Sequence, residues 1–323
     1  MKSVLKALGA AGAAGVAAFT FGTATAKDIT IAYVANSMQF PYDAALAKGF
    51  QAAAKELGMK AVVLDPRHSV EKQGNAIDDL IAQKVDGITA IVTDSVVART
   101  WVDRAADHGI PFVASAVQVG DPDKVPLRQV YPKLSALVTT DDVLAGQRAG
   151  ELAATLLPKG RTAKIGIVEG APGFAVVRQR TQGFRAALDK AKIKYEIVAA
   201  QPTDWTPEKG QAVCQNILTA HPDLDLLFSQ ADDMAIGCSR AIRSAGSKAK
   251  LIATGGGSRL GNEAIKTGEL DGSVCTNPET IGRLAAKALH DAITNKNTPK
   301  ARFITYDIPA ITKANLHQCS ANW

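Results

Sequence analysis

Rings and charged side chains in this chain cluster at the ends of short apolar runs. Phe40, Tyr42 and Asp43 follow ITIAYV (29–34), Asp94 follows DGITAIV (86–92), and Trp205 closes QPTDW (201–205). Arg180 lies in VVRQRTQGF (176–184) and Asp232 in FSQADDMAIG (228–237). Flat rings bury the apolar face of a small solute at little entropic cost, while carboxylates and a guanidinium fix its polar groups. These residue types suit capture without a covalent step. No G-x-S-x-G elbow places a nucleophile beside a base. Gly255-Gly256-Gly257 follows LIAT (251–254), but there is no Walker lysine and no G-x-G-x-x-G with its downstream acid. It reads as a strand-end turn rather than a phosphate cradle. His68, His108, His221, His290 and His317 are dispersed, and neither CxxC nor HExxH occurs. No metal, cofactor or enzymatic activity is expected.

The elements that must position these residues alternate along the chain. Residues 201–242 show the pattern most clearly. Thr206 suits a helix cap and Pro207 the first helical position, and Val213, Cys214, Ile217 and Leu218 recur at helical spacing. LDLLFS (224–229) is a short apolar run of the kind buried on both faces of a parallel sheet. Gln230-Ala231-Asp232-Asp233 then stands at a strand's C-terminal end, where open α/β sheets bind ligands. From Lys27 the series is strand 29–34, helix 43–57, strand 60–65, helix 70–83, strand 86–92, helix 96–108 and strand 110–115. After a polar segment, 117–133, the strand SALVTT (135–140) and a helix over 142–157 follow, and AKIGIVEG (163–170) begins the succession again. This is a right-handed βαβ series covered on both sides. GFQAAAKELGMKAVVLD (49–65) answers GFRAALDKAKIKYEIVA (183–199) at an offset of 134 residues. A period that long indicates two similar lobes rather than a solenoid.

Residues 1–26 read as a secretory leader: Lys2 and Lys6, an Ala/Gly-rich stretch, then Ala24-Thr25-Ala26 as a cleavage site. The mature chain is expected to begin at Lys27, in the periplasm. Removing the charges of Lys2 and Lys6 from the net +6 leaves +4, too mild and scattered for nucleic acid. The four cysteines fit an oxidising compartment. Pairing Cys214 with Cys238 and Cys275 with Cys319 is preferred among three connectivities. Cys214 and Cys238 also suit small buried apolar positions.

QPTDW, NILTAHPD (216–223) and FSQADDMAIG closely resemble the ribose-binding protein family, the sugar-type periplasmic binding proteins of ABC importers. The resemblance implies the periplasmic binding protein type I fold: α/β, with two doubly wound parallel-sheet lobes joined by a three-segment hinge. Crossings are expected near Thr140-Asp141, Thr276-Asn277 and Asp307-Ile308. The lobes would be 27–140 plus 277–307, and 141–276 plus 308–323, opening and closing around a ligand. It also implies site roles. Trp205 falls on the family's stacking aromatic and Arg180 on the second Arg of its R-x-R. In the Asn-Pro-aromatic-aromatic element Phe40 takes the place of the Asn, Tyr42 the first ring and Asp43 the second. Asp94, Asp232 and Asn277 complete the candidate set.

The departures bear on the ligand. The family's Asp-Arg pair falls on Ala116-Val117, the Asn of its SQND loop on Ala231, the Asp of its GFDG loop on Gly257 and a Gln on Thr276. A pocket that leaves hydroxyls unpaired loses affinity steeply, so the expected ligand is a sugar, polyol or derivative other than ribose. The expected partner is an inner-membrane permease with a separate ATPase. The alternative is a sensory protein that presents its closed form to a receptor kinase or chemoreceptor. A monomer is expected. Mass spectrometry of a non-reduced digest is expected to recover the 214–238 and 275–319 pairs; a free Cys319 would rule out a tethered tail.

Overall fold

The computed structural model describes Met1, residues 28–321 and Trp323. The leader and its cleavage point lie outside the described residues. The order is β1 (Thr30–Val34), α1 (Pro41–Glu56), β2 (Lys60–Leu64), α2 (Val70–Ala82), β3 (Gly87–Ala90), α3 (Ala98–Asp107), β4 (Phe112–Ser115) and β5 (Ala136–Val138). There follow α4 (Asp142–Leu156), β6 (Ala163–Glu169), α5 (Ala175–Lys190), β7 (Tyr195–Pro202), α6 (Pro207–Ala220), β8 (Leu226–Ser229), α7 (Asp232–Ser244), β9 (Lys250–Ala253) and α8 (Arg259–Thr267). The chain ends with β10 (Ser273–Val274), α9 (Pro278–Thr294), β11 (Arg302–Ile304) and β12 (Ala310–Ile311).

Two parallel sheets result. One runs β2-β1-β3-β4-β5-β11 and the other β7-β6-β8-β9, while β10 and β12 form a short antiparallel pair. The chain passes between the lobes three times: from β5 to α4, from β10 to α9, and from β11 to β12. That is the doubly wound, two-lobed arrangement expected from the alternating pattern. The strand assignments follow from burial on both faces. In β8, Leu226 and Phe228 face one core with Phe184 stacked on Phe228 at 4.3 Å, and Leu227 faces the other with Val213 and Cys238. The first lobe packs around Tyr33, Phe50, Phe112 and Leu137.

Local chemistry sets the helix starts. Thr206 Oγ1 accepts the Lys209 N–H at 3.3 Å with Pro207 at the first position, and Asp141 caps α4 by accepting the Leu144 N–H at 3.1 Å. Disulfides join Cys214 to Cys238, between α6 and α7, and Cys275 to Cys319. Two helices start away from the positions the pattern set. α1 starts earlier, at Pro41, which suits a first helical position. α3 is shorter than 96–108 because Asp94 spends its carboxylate on the Val96 and Val97 N–H groups.

In each lobe a pair of helices meets backbone to backbone through glycines. A Cβ on Gly49 of α1 would stand 1.9 Å from the Glu279 carbonyl oxygen, and one on Gly282 of α9 would stand 2.0 Å from that of Leu46. Gly146 of α4 and Gly183 of α5 repeat the arrangement in the second lobe. The helices cannot keep this separation with any side chain at these positions. Gly49→Ala is expected to cost about 1–3 kcal/mol, read as a lowered urea midpoint; an unchanged midpoint would mean that the helices part freely.

Candidate ligand site between the lobes

The C-terminal ends of β1, β3 and β4 in one lobe face those of β6, β8 and β9 in the other across a cavity of about 110 Å³. From the first lobe come Asn36, Phe40, Tyr42, Asp43, Ile91, Ala116 and Val117; from the second come Asp142, Phe174, Val176, Arg180, Trp205, Ala231, Asp233, Gly255 and Trp323. The lobes are closed on it. The Ser95 N–H donates to the Gly173 carbonyl at 3.3 Å, Gln179 Nε2 to Gln118 Oε1 at 2.5 Å, and Arg178 pairs with Asp123 at 2.5 Å.

Rings bridge the cleft. Phe40 is edge-on to His68, His68 stacks on Phe174 at 6.2 Å, and Phe174 is edge-on to Trp205 at 5.6 Å. Trp205 reaches the wall because its backbone is left-handed (φ +71°), a rare and strained state for a large side chain. Its indole lies where a Cβ on Gly170 would be, 1.8 Å from Cη2, so only glycine leaves room for it. Ala116 is also left-handed (φ +62°).

The charged groups are unequally neutralised. Arg180, 7% exposed, donates from Nε to Asp142 Oδ1 at 2.8 Å and from Nη1 to the Gln230 carbonyl oxygen. Asp142 Oδ2 is buried without a hydrogen-bond partner. Burial raises the Asp142 pKa to about 6 even with Arg180 opposing it. Asp43 Oδ1 accepts the N–H groups of Asn36 (2.7 Å) and Ser37 (3.1 Å) and the Tyr33 hydroxyl (3.4 Å), so it braces the β1–α1 loop. Burial outweighs those donors and lifts its pKa to about 7. Asp233 rises to about 6 through burial alone. Three carboxyls thus share the wall with the Arg180 guanidinium.

Of the residues singled out in the sequence, Phe40, Tyr42, Asp43, Arg180 and Trp205 line this cavity. Three other candidates stand outside the wall. Asp94 caps α3. Asp232 accepts from Ser273 Oγ at 2.7 Å and Ser258 Oγ at 3.2 Å, tying α7 to the loop before α8 and to β10, and burial raises its pKa to about 7. Asn277 caps α9 through the Thr280 N–H, and its own N–H donates to the Tyr306 hydroxyl at the hinge. Asp233 lines the cavity where Asp232 was expected. Sequence reasoning also missed Asp142, Phe174 and Trp323. The capping pattern Asp141-Asp142 at a helix start was a signal for the first; nothing local marked the other two.

Known proteins are similar to this chain in sequence and fold. The family model for the periplasmic binding protein domain matches residues 31–297. The ribose import binding protein of Bacillus subtilis is 33% identical over 274 residues, 85% of each chain. That of Escherichia coli K12 is 32% identical over 270 residues, 84% of this chain and 86% of the relative. The crystal structure of a Caulobacter myo-inositol binding protein, 23% identical, superposes with a TM-score of 0.80 over 90% of this chain and 96% of that one.

The raised carboxyls have a stability consequence. Below pH ~4 Asp233 is protonated in folded and unfolded chains alike; between ~4 and 6 only the folded state keeps the proton, so stability falls as pH rises through that window. The neutral Asp233→Asn is therefore expected to raise stability by about 1–2 kcal/mol at pH 7.5 and to leave it unchanged at pH 4. Urea titrations at the two pH values check this.

Proposed function

The chain belongs to the periplasmic binding protein family, in its sugar-binding branch, and on that premise we propose that it captures one small, hydrogen-bond-donor-rich solute. That solute is a sugar, polyol or derivative other than D-ribose, passed on to an inner-membrane ABC permease. Homologues in this family are periplasmic solute-binding components of importers, not enzymes. The observation that carries the finer reading is the excess of unspent acceptors in an aromatic cavity. Asp142 Oδ2 has no partner, Asp233 stands on the wall, and the Arg180 guanidinium is already committed to Asp142 and Gln230. Hydroxyls that donate would satisfy these oxygens, while their C–H faces pack on Phe40, Tyr42, Phe174 and Trp205. A carboxylate ligand would face three acids and is disfavoured.

In this reading Phe40, Tyr42, Trp205 and Phe174 supply ring faces, and Arg180, Asp142, Asp43 and Asp233 the polar anchors. Asp94, Asp232 and Asn277 position the elements that carry them. The lobes are 27–140 plus 277–307 and 141–276 plus 308–323, and the leader is removed after Ala26. The neutral side chains of Ala116, Val117 and Ala231 on the wall support the exclusion of ribose, since they offer its hydroxyls no partner.

A thermal-shift screen of residues 27–323 against polyols, pentoses, hexoses, hydroxy acids and amines tests the reading. Polyols or sugar derivatives are expected to raise the melting temperature, and D-ribose is not. A strong D-ribose shift overturns the exclusion, and a response to hydroxy acids alone overturns the donor-rich class. For the best binder, Trp205→Ala is expected to weaken affinity tenfold or more by calorimetry, since a lost ring face removes roughly a kilocalorie or more.

A further inference from the structure

We propose that the tail carrying Cys319 and Trp323 is a wall of the ligand cavity, and that Trp323 sets the size of solute the cleft admits. The proposal rests on reading the cleft as a solute site. Trp323 lines the cavity although it lies far along the chain from the strand ends that build it. Its ring is edge-on to Tyr42, 5.5 Å between centroids at 87°, so an indole from the second lobe's tail meets a ring of the first lobe across the cleft.

Three restraints hold the tail there. The Cys275–Cys319 disulfide fixes it to the strand end after β10. Asn262 Nδ2 donates to the Cys319 carbonyl at 3.0 Å, and the Arg259 N–H donates to the Trp323 carbonyl at 2.7 Å, both from α8. The tail fills the corner beside Gly257. A Cβ there would stand 2.7 Å from the Thr276 carbonyl oxygen, 3.2 Å from Cys319 Sγ and 3.5 Å from Trp323 Nε1, on a backbone at φ +97°. Any side chain at position 257 is excluded by strain and by the tail together.

This corner is where the ribose-binding resemblance places an aspartate. Here a carboxylate that could accept from hydroxyls is replaced by a flat indole supplied from the tail. The wall offers ring surface and one N–H; Trp323 Nε1 is buried without a hydrogen-bond partner. A rigid two-ring side chain takes up volume that a short carboxylate would leave open. The cleft therefore favours solutes shorter than a six-carbon ring, and the disulfide keeps that limit in force.

Isothermal titration of wild type, Trp323→Ala, Trp323→Phe and Cys275→Ser/Cys319→Ser with glycerol, D-allose and myo-inositol tests this. Trp323→Ala is expected to shift the affinity ratio of the six-carbon probes to glycerol at least tenfold toward the larger ones. Trp323→Phe, which keeps a ring, should stay within threefold of wild type. The double cysteine variant should follow Trp323→Ala if the tether holds the wall. Because that pair also secures β10, the size limit is judged on Trp323→Ala. A ratio within threefold of wild type for Trp323→Ala, with binding measurable, overturns the role of the tail alone. No binding of any probe to any of the four proteins overturns the solute reading and this proposal with it.

Discussion

The cleft depends on one buried cation. Arg180 ties the start of α4, through Asp142, to the end of β8, through the Gln230 carbonyl, while its own carbonyl is the surface against which Gly146 packs. A guanidinium taken out of water needs every donor matched, and removing one partner of such a pair typically costs about 3–5 kcal/mol because a bare charge remains. Gln230 extends the web: its amide donates to Val177 and Thr181 and its side-chain oxygen accepts from Gly170. Gly170 in turn makes room for the Trp205 ring. The stacking face is thus set, through three contacts, by the same arginine that faces the cavity.

Around this fixed point the two lobes contribute different things. The second lobe brings the guanidinium and three rings, Phe174, Trp205 and Trp323, and the first brings Phe40 and Tyr42 with the braced Asp43. Neither half encloses the cavity. Contacts between Ser95 and Gly173 and between Gln118 and Gln179 lie beside it, so closure and enclosure are one event. Interlobe hydrogen bonds of this kind are worth about a kilocalorie each, small enough for a bound solute to tip the balance between open and closed.

Much of this was legible in the residues. LDLLFS read as a buried strand, Thr206-Pro207 as a helix start, and the long internal offset as two similar lobes. Trp205 and Arg180 stood out through the resemblance, as the stacking aromatic and the second Arg of the R-x-R of the ribose-binding family. Asp233 rather than Asp232 lines the cavity for a geometric reason. Successive helical residues point about 100° apart, and composition cannot say which of two adjacent acids turns inward. Asp94 and Asn277 were read as cleft residues, but Asp94 Oδ1 accepts from the turn before α3 and Asn277 Oδ1 caps α9. Trp323 carried no local signal; only the path of the disulfide-bound tail brings it to Tyr42.

The glycine-mediated contact between α1 and α9 has a temporal side. Lys48 and Glu279, which pair across that contact, are 231 residues apart in sequence, with nearly all of the second lobe between them. The first lobe's sheet likewise lacks its edge strand β11 until the chain has returned from that lobe. The second lobe can close its four-stranded sheet from consecutive segments, whereas the first must wait for residues made long after its own strands. Folding that depends on such distant contacts is slow. The first lobe therefore lacks the cover that α9 gives its core, and its edge strand β11, until those segments have been synthesised.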